Sequence, residues 1–220
     1  MRILGIGFLS ESSVALINNG KIEFAISEER LNRKKNWWGN PFKAINFVLS
    51  NTNKKLKDIN YFATHGLSAY SNDVPSRLHF QKKVNEIKKS KLNVKIKKKQ
   101  INFLKKRFNH EILANKRTLK NVNQLKKKFK NLEVYDHHDA HAASAYFYSG
   151  WKDCYVLTID GWGDNSSSKF YKVQNGNLNL ISKTNTIDSL GYFYGSITKL
   201  LGFKPHRHEG KILGLAAYGN

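Results

Sequence analysis

The chain has 220 residues, of which 40% are hydrophobic, and a formal net charge of +22. Its thirteen Phe, ten Tyr and four Trp argue against a disordered protein and for a folded one with a real core. The N-terminus lacks the layout of a signal peptide, no apolar run approaches the ~20 residues that cross a bilayer, and the single cysteine, Cys154, excludes an internal disulfide. We therefore expect a cytoplasmic protein with no membrane association.

The first third of the chain predicts a small sheet. The segments "RILGIGF", "SSVALIN" and "KIEFAIS" predict three short strands, and Asn19-Gly20 between the last two is typical of a hairpin turn. A helix is predicted near 41–50, with Asn40 as its cap and Pro41 in its first turn. The segment "INYFAT" then predicts a buried strand.

The stretch from about 74 to 130 is basic and is predicted to be mostly helical. Residues 81–130 contain 19 of the 38 lysines and arginines and only two acidic residues. One interpretation is a surface for nucleic acid or another acidic partner. We favour a solvent-exposed helical excursion, because the three phenylalanines of this stretch fit an amphipathic helix face as well as a base-binding surface. Nucleic acid is therefore not expected as a specific partner.

After a strand at "LEVYD" and a helix through the histidines to about Tyr148, the opening pattern recurs. The segment "YVLTIDGWGDNSSSKFYKVQNGNLNLIS" predicts a strand, a glycine-rich turn, a strand, an Asn-Gly turn and a strand. In both copies a Gly-x-Gly begins fifteen residues before the glycine of the Asn-Gly turn, which is Gly20 in the first and Gly176 in the second. The repeat predicts two related lobes. The segment "SLGYFYGSITKLLGF" then predicts an amphipathic helix.

This layout predicts an α/β fold of the actin-like ATPase and sugar-kinase type, which is ribonuclease H-like. Two lobes that each open with a tight glycine hairpin expose backbone N–H groups and can clamp phosphates between them. We expect residues 1–153 to form the first lobe, with the basic excursion inserted in it. Residues 154–220 are expected to begin a second lobe whose sheet is incomplete.

Three histidines and an aspartate fall within "HHDAH", in a chain with eight histidines. On a helix, His137 and His141 project from one face about 40° apart, which suits two ligands of one metal, whereas His138 points elsewhere. The zinc-protease pattern requires Glu directly after the first His, so peptide hydrolysis is disfavoured. An imidazole pair suits iron, zinc or another first-row divalent ion. The competing interpretation is surface or capping histidines at the start of a helix.

Two further segments combine glycine with charged side chains. In "DGWGD", Asp160 ends an apolar strand, Gly161 and Gly163 allow close backbone approach, and Asp164 can hold a metal or a hydroxyl. In "EGK", at 209–211, a glycine and a lysine lie near a predicted helix start, where a phosphate can bind. Alone, "DGWGD" is typical of an ordinary hairpin turn, but next to the lobe repeat it favours phosphate binding. The "EGK" segment is a weak signal by itself.

Seven segments follow one another along the chain: "GIGFLSESSVAL", "NGKI", "EERLNRKKN", "HHDAHAASAY", "IDGWGD", "SLGYFYGSITKLLGF" and "EGKILGLAAYG". In this order they resemble the O-carbamoyltransferases of antibiotic and nodulation-factor biosynthesis, and the resemblance spans nearly the whole chain. Two positions depart from the family pattern. Ser10-Glu11 stands where the family has His-Asp, and Lys35-Asn36 stands where it has Lys-His.

The resemblance implies a specific chemistry. A second domain of such enzymes makes carbamoyl-adenylate from carbamoyl phosphate and ATP, and the N-terminal domain moves the carbamoyl group onto a hydroxyl of a small, sugar-like acceptor. It also implies kinship with the enzyme that carbamoylates threonine on tRNA adenosine. By motif, His137 and His141 are expected to bind a divalent metal, most often Fe²⁺, which polarises the donor while nearby cations stabilise the departing nucleotide.

The same resemblance assigns the other site residues. Those expected to bind nucleotide are Asp160, Gly161, Gly163, Asp164, Glu209, Gly210 and Lys211. Catalytic roles are expected at Lys35 and at the position of Ser10, although a serine cannot take a proton at neutral pH as the family's histidine does.

The third metal ligand and the adenylate-forming domain of the family are expected outside this chain. We therefore expect an enzyme part that is inactive alone and that requires a companion polypeptide. Two alternatives stay open. One is a non-catalytic nucleotide-binding relative that acts as a structural or regulatory partner, and the other is a nucleic-acid-associated protein that uses the basic segment.

Overall fold

A computed structural model describes three stretches of the chain, residues 1–9, 11–71 and 77–219. The chain packs as two compact units. Unit 1 comprises Met1–Pro75 and Phe108–Ala140, and unit 2 comprises Ser76–Arg107 and His141–Asn220. The division into lobes at 153/154 stays a prediction.

Unit 1 contains a five-stranded sheet in the order β3-β2-β1-β4-β5. Its strands are Arg2–Gly7 (β1), Ser13–Asn18 (β2), Lys21–Ser27 (β3), Tyr61–His65 (β4) and Leu132–Tyr135 (β5). The first three strands are antiparallel, β4 runs parallel to β1, and β5 runs parallel to β4. This order and these directions are those of the ribonuclease H-like fold of actin-like ATPases, so the predicted fold class is confirmed.

The described residues of both units form helices. They are Glu28–Asn32 (α1), Phe42–Asn51 (α2), Leu67–Tyr70 (α3), Arg77–Lys89 (α4), Val94–Lys128 (α5), His137–Ser149 (α6), Leu190–Leu200 (α7) and Glu209–Ala216 (α8). Helices α5 and α6 are each continuous and contribute residues to both units. Within the described stretches, no helix combines the length and the apolar character that a membrane crossing requires.

One face of the sheet in unit 1 is covered by α2 and by the C-terminal half of α5. Leu4 and Leu16 of the sheet are fully buried. They pack in one cluster with Val48 of α2 and with Val122 and Leu125 of α5. The basic segment was predicted to be an exposed excursion, and this prediction is wrong for the C-terminal half of α5. The reason is that its apolar residues recur at helical spacing and form a stripe that faces the core.

The predicted cap of α2 is also wrong. The helix begins after Pro41, and no side chain at that position caps it. Instead the buried carboxylate of Glu28 accepts a hydrogen bond from the backbone N–H of Ala44 at 2.8 Å. The side-chain amide of Asn40 donates to Gln124 of α5 at 2.9 Å. A buried acid from outside the helix therefore satisfies the first turn, which local sequence rules do not anticipate.

Unit 2 contains a three-stranded antiparallel sheet in the order β6-β7-β8. Its strands are Cys154–Gly163 (β6), Ser166–Gln174 (β7) and Asn177–Asn185 (β8). Helix α6 covers one face of this sheet, where Ala142 and Tyr146 of the helix pack against Val156, Tyr171 and Val173 of the strands. A short 3₁₀ turn, Thr186–Asp188, connects β8 to α7.

The two Asn-Gly turns that motivated the repeat are conformationally alike. Asn19 and Gly20 have φ values of 47° and 80°, and Asn175 and Gly176 have φ values of 50° and 78°. Positive φ at both central residues is the type I′ turn that joins twisted antiparallel strands. The two predicted Asn-Gly hairpin turns are therefore confirmed, and the relation between two lobes stays a prediction.

The other predicted turn lies slightly later than expected. The "DGWGD" segment was predicted to turn at its glycines, but β6 runs on to Gly163, which pairs with Ser166. The strand pairing is irregular between Ile159 and Gly163, and the chain reverses at Asp164-Asn165, which have φ values of 48° and 60°. A bulge in the strand thus replaces the predicted glycine turn.

Candidate metal centre

Asp136 directly precedes helix α6, and its carboxylate caps the first turn of the helix. The Oδ1 atom of Asp136 accepts hydrogen bonds from the backbone N–H of His138 at 2.8 Å and of Asp139 at 3.1 Å. This cap satisfies donors that have no partner within the helix and fixes where the helix starts. His138 is 0% exposed, in agreement with the prediction that it points away from the face of His137 and His141.

His141 forms an ion pair with the strand that follows α6 in the sequence. Its Nε2 atom lies 3.7 Å from the Oδ2 atom of Asp160, and both side chains are about half exposed, at 54% and 40%. The hydrogen bond to Asp160 raises the pKa of His141 above its ordinary value of 6.5, and burial opposes this rise only in part.

Together with His137, this pair forms a cluster of three potential metal ligands on α6 and β6. One ligand atom of each of His137, His141 and Asp160 lies within 4.8 Å of the others. The sequence predicted the two histidines as a pair but assigned Asp160 to nucleotide binding. Two imidazoles and one carboxylate form a donor set that suits a first-row divalent ion.

The backbone of Asp160 is held by the start of α7. Ser189 caps α7, since its Oγ accepts a hydrogen bond from the backbone N–H of Tyr192 at 3.1 Å. The same hydroxyl donates to the backbone carbonyl of Asp160 at 3.3 Å. A Cβ atom on Gly191 would lie only 2.8 Å from the Cα of Gly161, so α7 approaches β6 too closely for any side chain at position 191.

Sequence reasoning missed Ser189 and Gly191, although a signal was present. Serine directly before a predicted helix is a typical N-cap, and a glycine in the first turn of that helix needs a packing reason. The "SLG" that opens this segment carries both signals.

His141 and Asp160 line a pocket in unit 2. The pocket has a volume of about 360 Å³, and its other lining residues include Ala145 of α6 and Val156 and Thr158 of β6. A ligand in this pocket would contact apolar side chains as well as the imidazole–carboxylate pair. His141 and Asp160 are therefore accessible to a small molecule.

The second predicted nucleotide-binding segment lies at the start of α8. The Oε1 atom of Glu209 accepts a hydrogen bond from the backbone N–H of His206 at 2.6 Å, and its carbonyl accepts one from the hydroxyl of Tyr194 at 3.1 Å. Gly195 of α7 faces the same carboxylate. Gly210 and Lys211 follow on the helix, and both are exposed.

Helix α7 therefore contacts both predicted nucleotide-binding segments. Its first turn lies against Gly161, and its second turn lies against Glu209. Gly163 is buried at the end of β6, and Asp164 lies in the turn that follows.

In the sequence, the two departures from the family pattern follow β1 and α1. Ser10 is outside the described residues, and Lys35 is exposed in a turn after α1. The described residues near these positions are hydrogen-bonded to each other. The backbone N–H of Gly39 donates to the carbonyl of Phe8 at 3.0 Å, and the hydroxyl of Ser12 donates to the carbonyl of Trp37 at 2.9 Å. The sequence did not predict this connection.

Comparison with known proteins shows which family the sequence matches. The family model described as "Carbamoyltransferase N-terminus" matches residues 2–220. An uncharacterized protein of Methanocaldococcus jannaschii is 32% identical over 218 residues, which cover 98% of this chain and 33% of that protein. The nodulation protein NolNO of Sinorhizobium fredii is 27% identical over 215 residues, which cover 97% of this chain and 28% of that protein. The chain thus spans about a third of the length of these relatives.

Among solved structures, YeaZ from Pseudomonas aeruginosa superimposes with a TM-score of 0.40 and 14% sequence identity. The match covers 84% of this chain and 68% of that one.

Proposed function

Because this chain belongs to the family of carbamoyltransferase N-termini, we propose that it is the part of a transferase that moves a carbamoyl group onto a hydroxyl of a small, sugar-like molecule. The proposed donor is carbamoyl-adenylate, made from carbamoyl phosphate and ATP. The relatives are about three times as long, so we assign formation of the adenylate to a region or companion polypeptide outside these 220 residues.

The observation that carries this proposal is the clustering of His137, His141 and Asp160 beside a pocket. Neutral imidazole and carboxylate ligands fit a first-row divalent ion, and by resemblance to the family we propose Fe²⁺. When bound, such an ion supplies Lewis-acid polarisation of the donor's carbonyl oxygen. The structure adds a third candidate ligand, Asp160, to the pair that the sequence predicted.

The residues of the chain can then be assigned roles. His141 must lose its proton to bind a metal, and the interaction with Asp160 favours the protonated imidazole by raising its pKa, so protons and metal compete for one site. A Cβ atom added at Gly161 would meet nothing within 4 Å, so that side of the β6 backbone is open to close approach by phosphate oxygens. Gly163 is buried, and its nucleotide contact stays a prediction. Lys211 carries an exposed positive charge at the start of a helix, where a phosphate is stabilised.

A second candidate function is a non-catalytic nucleotide-binding relative. It is favoured by Ser10 and Asn36, which stand where the resembled family has histidines. Neither residue can act as a general base at neutral pH, so activation of the acceptor hydroxyl requires a base from elsewhere.

The test uses preformed carbamoyl-adenylate, which bypasses the need to synthesise it. Hydroxylated acceptors are incubated with the 220-residue chain alone and with the rest of the enzyme added. We expect turnover only in the second case, and we expect His141→Ala to abolish it while His110→Ala, at an exposed position of α5, leaves it unchanged.

The remaining outcomes are also informative. Turnover by the isolated chain would contradict the need for further polypeptide. Nucleotide binding without turnover in any combination would favour the non-catalytic relative.

A further inference from the structure

The segment between β8 and α7 is bound on one side by the basic helices. We call residues 185–191, which include the 3₁₀ turn and the cap of α7, the strap. The carboxylate of Asp188 in the strap lies 3.0 Å from the Nζ of Lys83 and 2.9 Å from the Nε2 of His79, both on α4. Its hydrogen bond to Lys83 raises the pKa of that lysine. Each carboxylate oxygen thus has its own partner on α4.

Arg107 of α5 makes a more specific contact with the strap. Its Nη1 donates to the backbone carbonyl of Ile187 at 3.0 Å, and its Nη2 donates to the carbonyl of Thr186. The guanidinium carbon lies 4.0 Å from the ring centre of Tyr192. Thr186 and Ile187 are buried, at 1% and 8% exposure. A planar fork that binds two successive carbonyls and stacks on an aromatic ring is a geometry that lysine cannot reproduce.

The other side of the strap contacts the candidate metal ligand. Ser189 donates its hydroxyl hydrogen to the carbonyl of Asp160, and Gly191 lies against Gly161 without space for a Cβ atom. Only two residues separate Thr186, whose carbonyl Arg107 binds, from Ser189, whose side chain bonds to Asp160. All of these residues belong to unit 2.

We infer that Arg107 is a positioning residue for Asp160: it fixes the strap, and the strap fixes the backbone of β6 at the candidate metal centre. The basic segment therefore has a structural role in the site, in addition to any contribution of its charge. The functional meaning of this inference rests on the proposed metal centre, whereas the mechanical coupling between Arg107 and Asp160 can be measured without a metal.

The experiment compares Arg107→Gln and Arg107→Lys with Lys106→Gln, which removes the same charge from the neighbouring exposed position. Two properties are measured on the 220-residue chain, namely Co²⁺ affinity with its visible absorption spectrum, and amide hydrogen exchange of residues 160–163 without metal. For Arg107→Gln we expect the Co²⁺ affinity to fall about 10-fold, because the substitution removes a group that orients a metal ligand. We also expect an altered Co²⁺ absorption spectrum and faster amide exchange at residues 160–163. Arg107→Lys should restore little, and Lys106→Gln should match the wild type.

The result that overturns the inference is wild-type exchange at 160–163 and wild-type Co²⁺ affinity in Arg107→Gln, while His141→Ala loses the ion. If the wild type binds no Co²⁺, the proposal of a metal centre is contradicted, and amide exchange alone then tests the coupling between Arg107 and Asp160. Faster exchange than in Lys106→Gln then supports the coupling, and equal exchange overturns it. If Arg107→Gln does not fold, Arg107→Lys and Asp188→Asn are judged by the same criteria.

Discussion

Each unit contains three consecutive antiparallel strands, of which the first is β1 in unit 1 and β6 in unit 2. The last two strands of each set are joined by an Asn-Gly turn, but β1 and β6 have different surroundings. In unit 1, β4 pairs with the second edge of β1, and Leu4 and Ile6 are buried. Within the described part of unit 2, β6 pairs with β7 alone. Its outer face exposes Tyr155, Leu157 and Ile159, at 60%, 59% and 55%.

The ends of the two strands differ as well. After β1 the chain reaches Phe8, which is fully buried and stacks on His65 at 4.3 Å between ring centres. Near the end of β6 lies Asp160, which the repeat matches with the fully buried Leu4, yet Asp160 is about half exposed beside His141. A short-range sequence pattern therefore determines where each hairpin forms. Packing against distant parts of the chain determines whether its first strand is buried in a core or exposes candidate ligands.

The largest expected difference between the two strands is the effect on stability of replacing a leucine in each. Leu4→Ala should lower the free energy of unfolding by about 3 kcal/mol, because it removes fully buried apolar volume. Leu157→Ala should change it by less than about 0.5 kcal/mol, since that side chain is mostly exposed. Urea unfolding of both variants measures the difference. Equal losses would show that the outer face of β6 is buried in solution and that the contrast between the strands is wrong.

The next effect concerns the contact between α7 and β6. Gly191→Ala should destabilise the protein by about 1–3 kcal/mol, because its new methyl group would overlap the backbone of Gly161. The control is Gly214→Ala, where nothing lies within 4 Å of the added Cβ. In the interior of α8 this change should be neutral or stabilise by up to about 1 kcal/mol. Thermal unfolding distinguishes the two, and a neutral Gly191→Ala would mean that α7 and β6 are not in close contact.

A smaller and symmetrical effect is expected at the two type I′ turns. Gly20→Ala and Gly176→Ala each place a Cβ atom in open space at positive φ, so the cost is conformational alone. Both should lose about 1 kcal/mol, by the same amount within error. Clearly unequal losses in urea unfolding would show that the turns are not equivalent and would weaken the repeat.

Local sequence signals account for most of the fold. The strands, the Asn-Gly turns and the extent of α6 follow from short apolar patterns, glycines and caps. The pairing of His137 with His141 follows from helical spacing. What could not be predicted depends on residues far apart in sequence, such as the role of Glu28 at α2 and the burial of the C-terminal half of α5.

The same limit applies to the site. Asp160 lies nineteen residues after His141, and only the packing of α6 on β6 brings the two together. Arg107 is a single cation within a lysine-rich stretch, so no pattern distinguishes it from its neighbours before the strap is seen.

The smallest predicted effect is on the titration of His141. Asp160→Asn should lower the pKa of His141 towards its ordinary value of about 6.5, whereas Asp164→Asn should leave it unchanged. Because the pair raises the pKa of a histidine, its contribution to stability is full below the unfolded value and is lost as the pH rises through the folded value. Proton NMR titration of the imidazole measures this. An unchanged pKa in Asp160→Asn would mean that the ion pair does not form in solution.

The central claim is that His137, His141 and Asp160 bind one divalent metal ion. Its most direct test is an anaerobic titration of the chain with Fe²⁺, or with Co²⁺ as a spectroscopic substitute, against His137→Ala, His141→Ala and Asp160→Asn, with His110→Ala as the control. We predict one ion per chain for the wild type and for the control, and losses of affinity in the other three that exceed the roughly 10–100-fold cost of losing an outer-shell partner. Equal binding by all five proteins would contradict the claim, and loss of binding in a folded His138→Ala alone would show that the wrong histidine had been chosen.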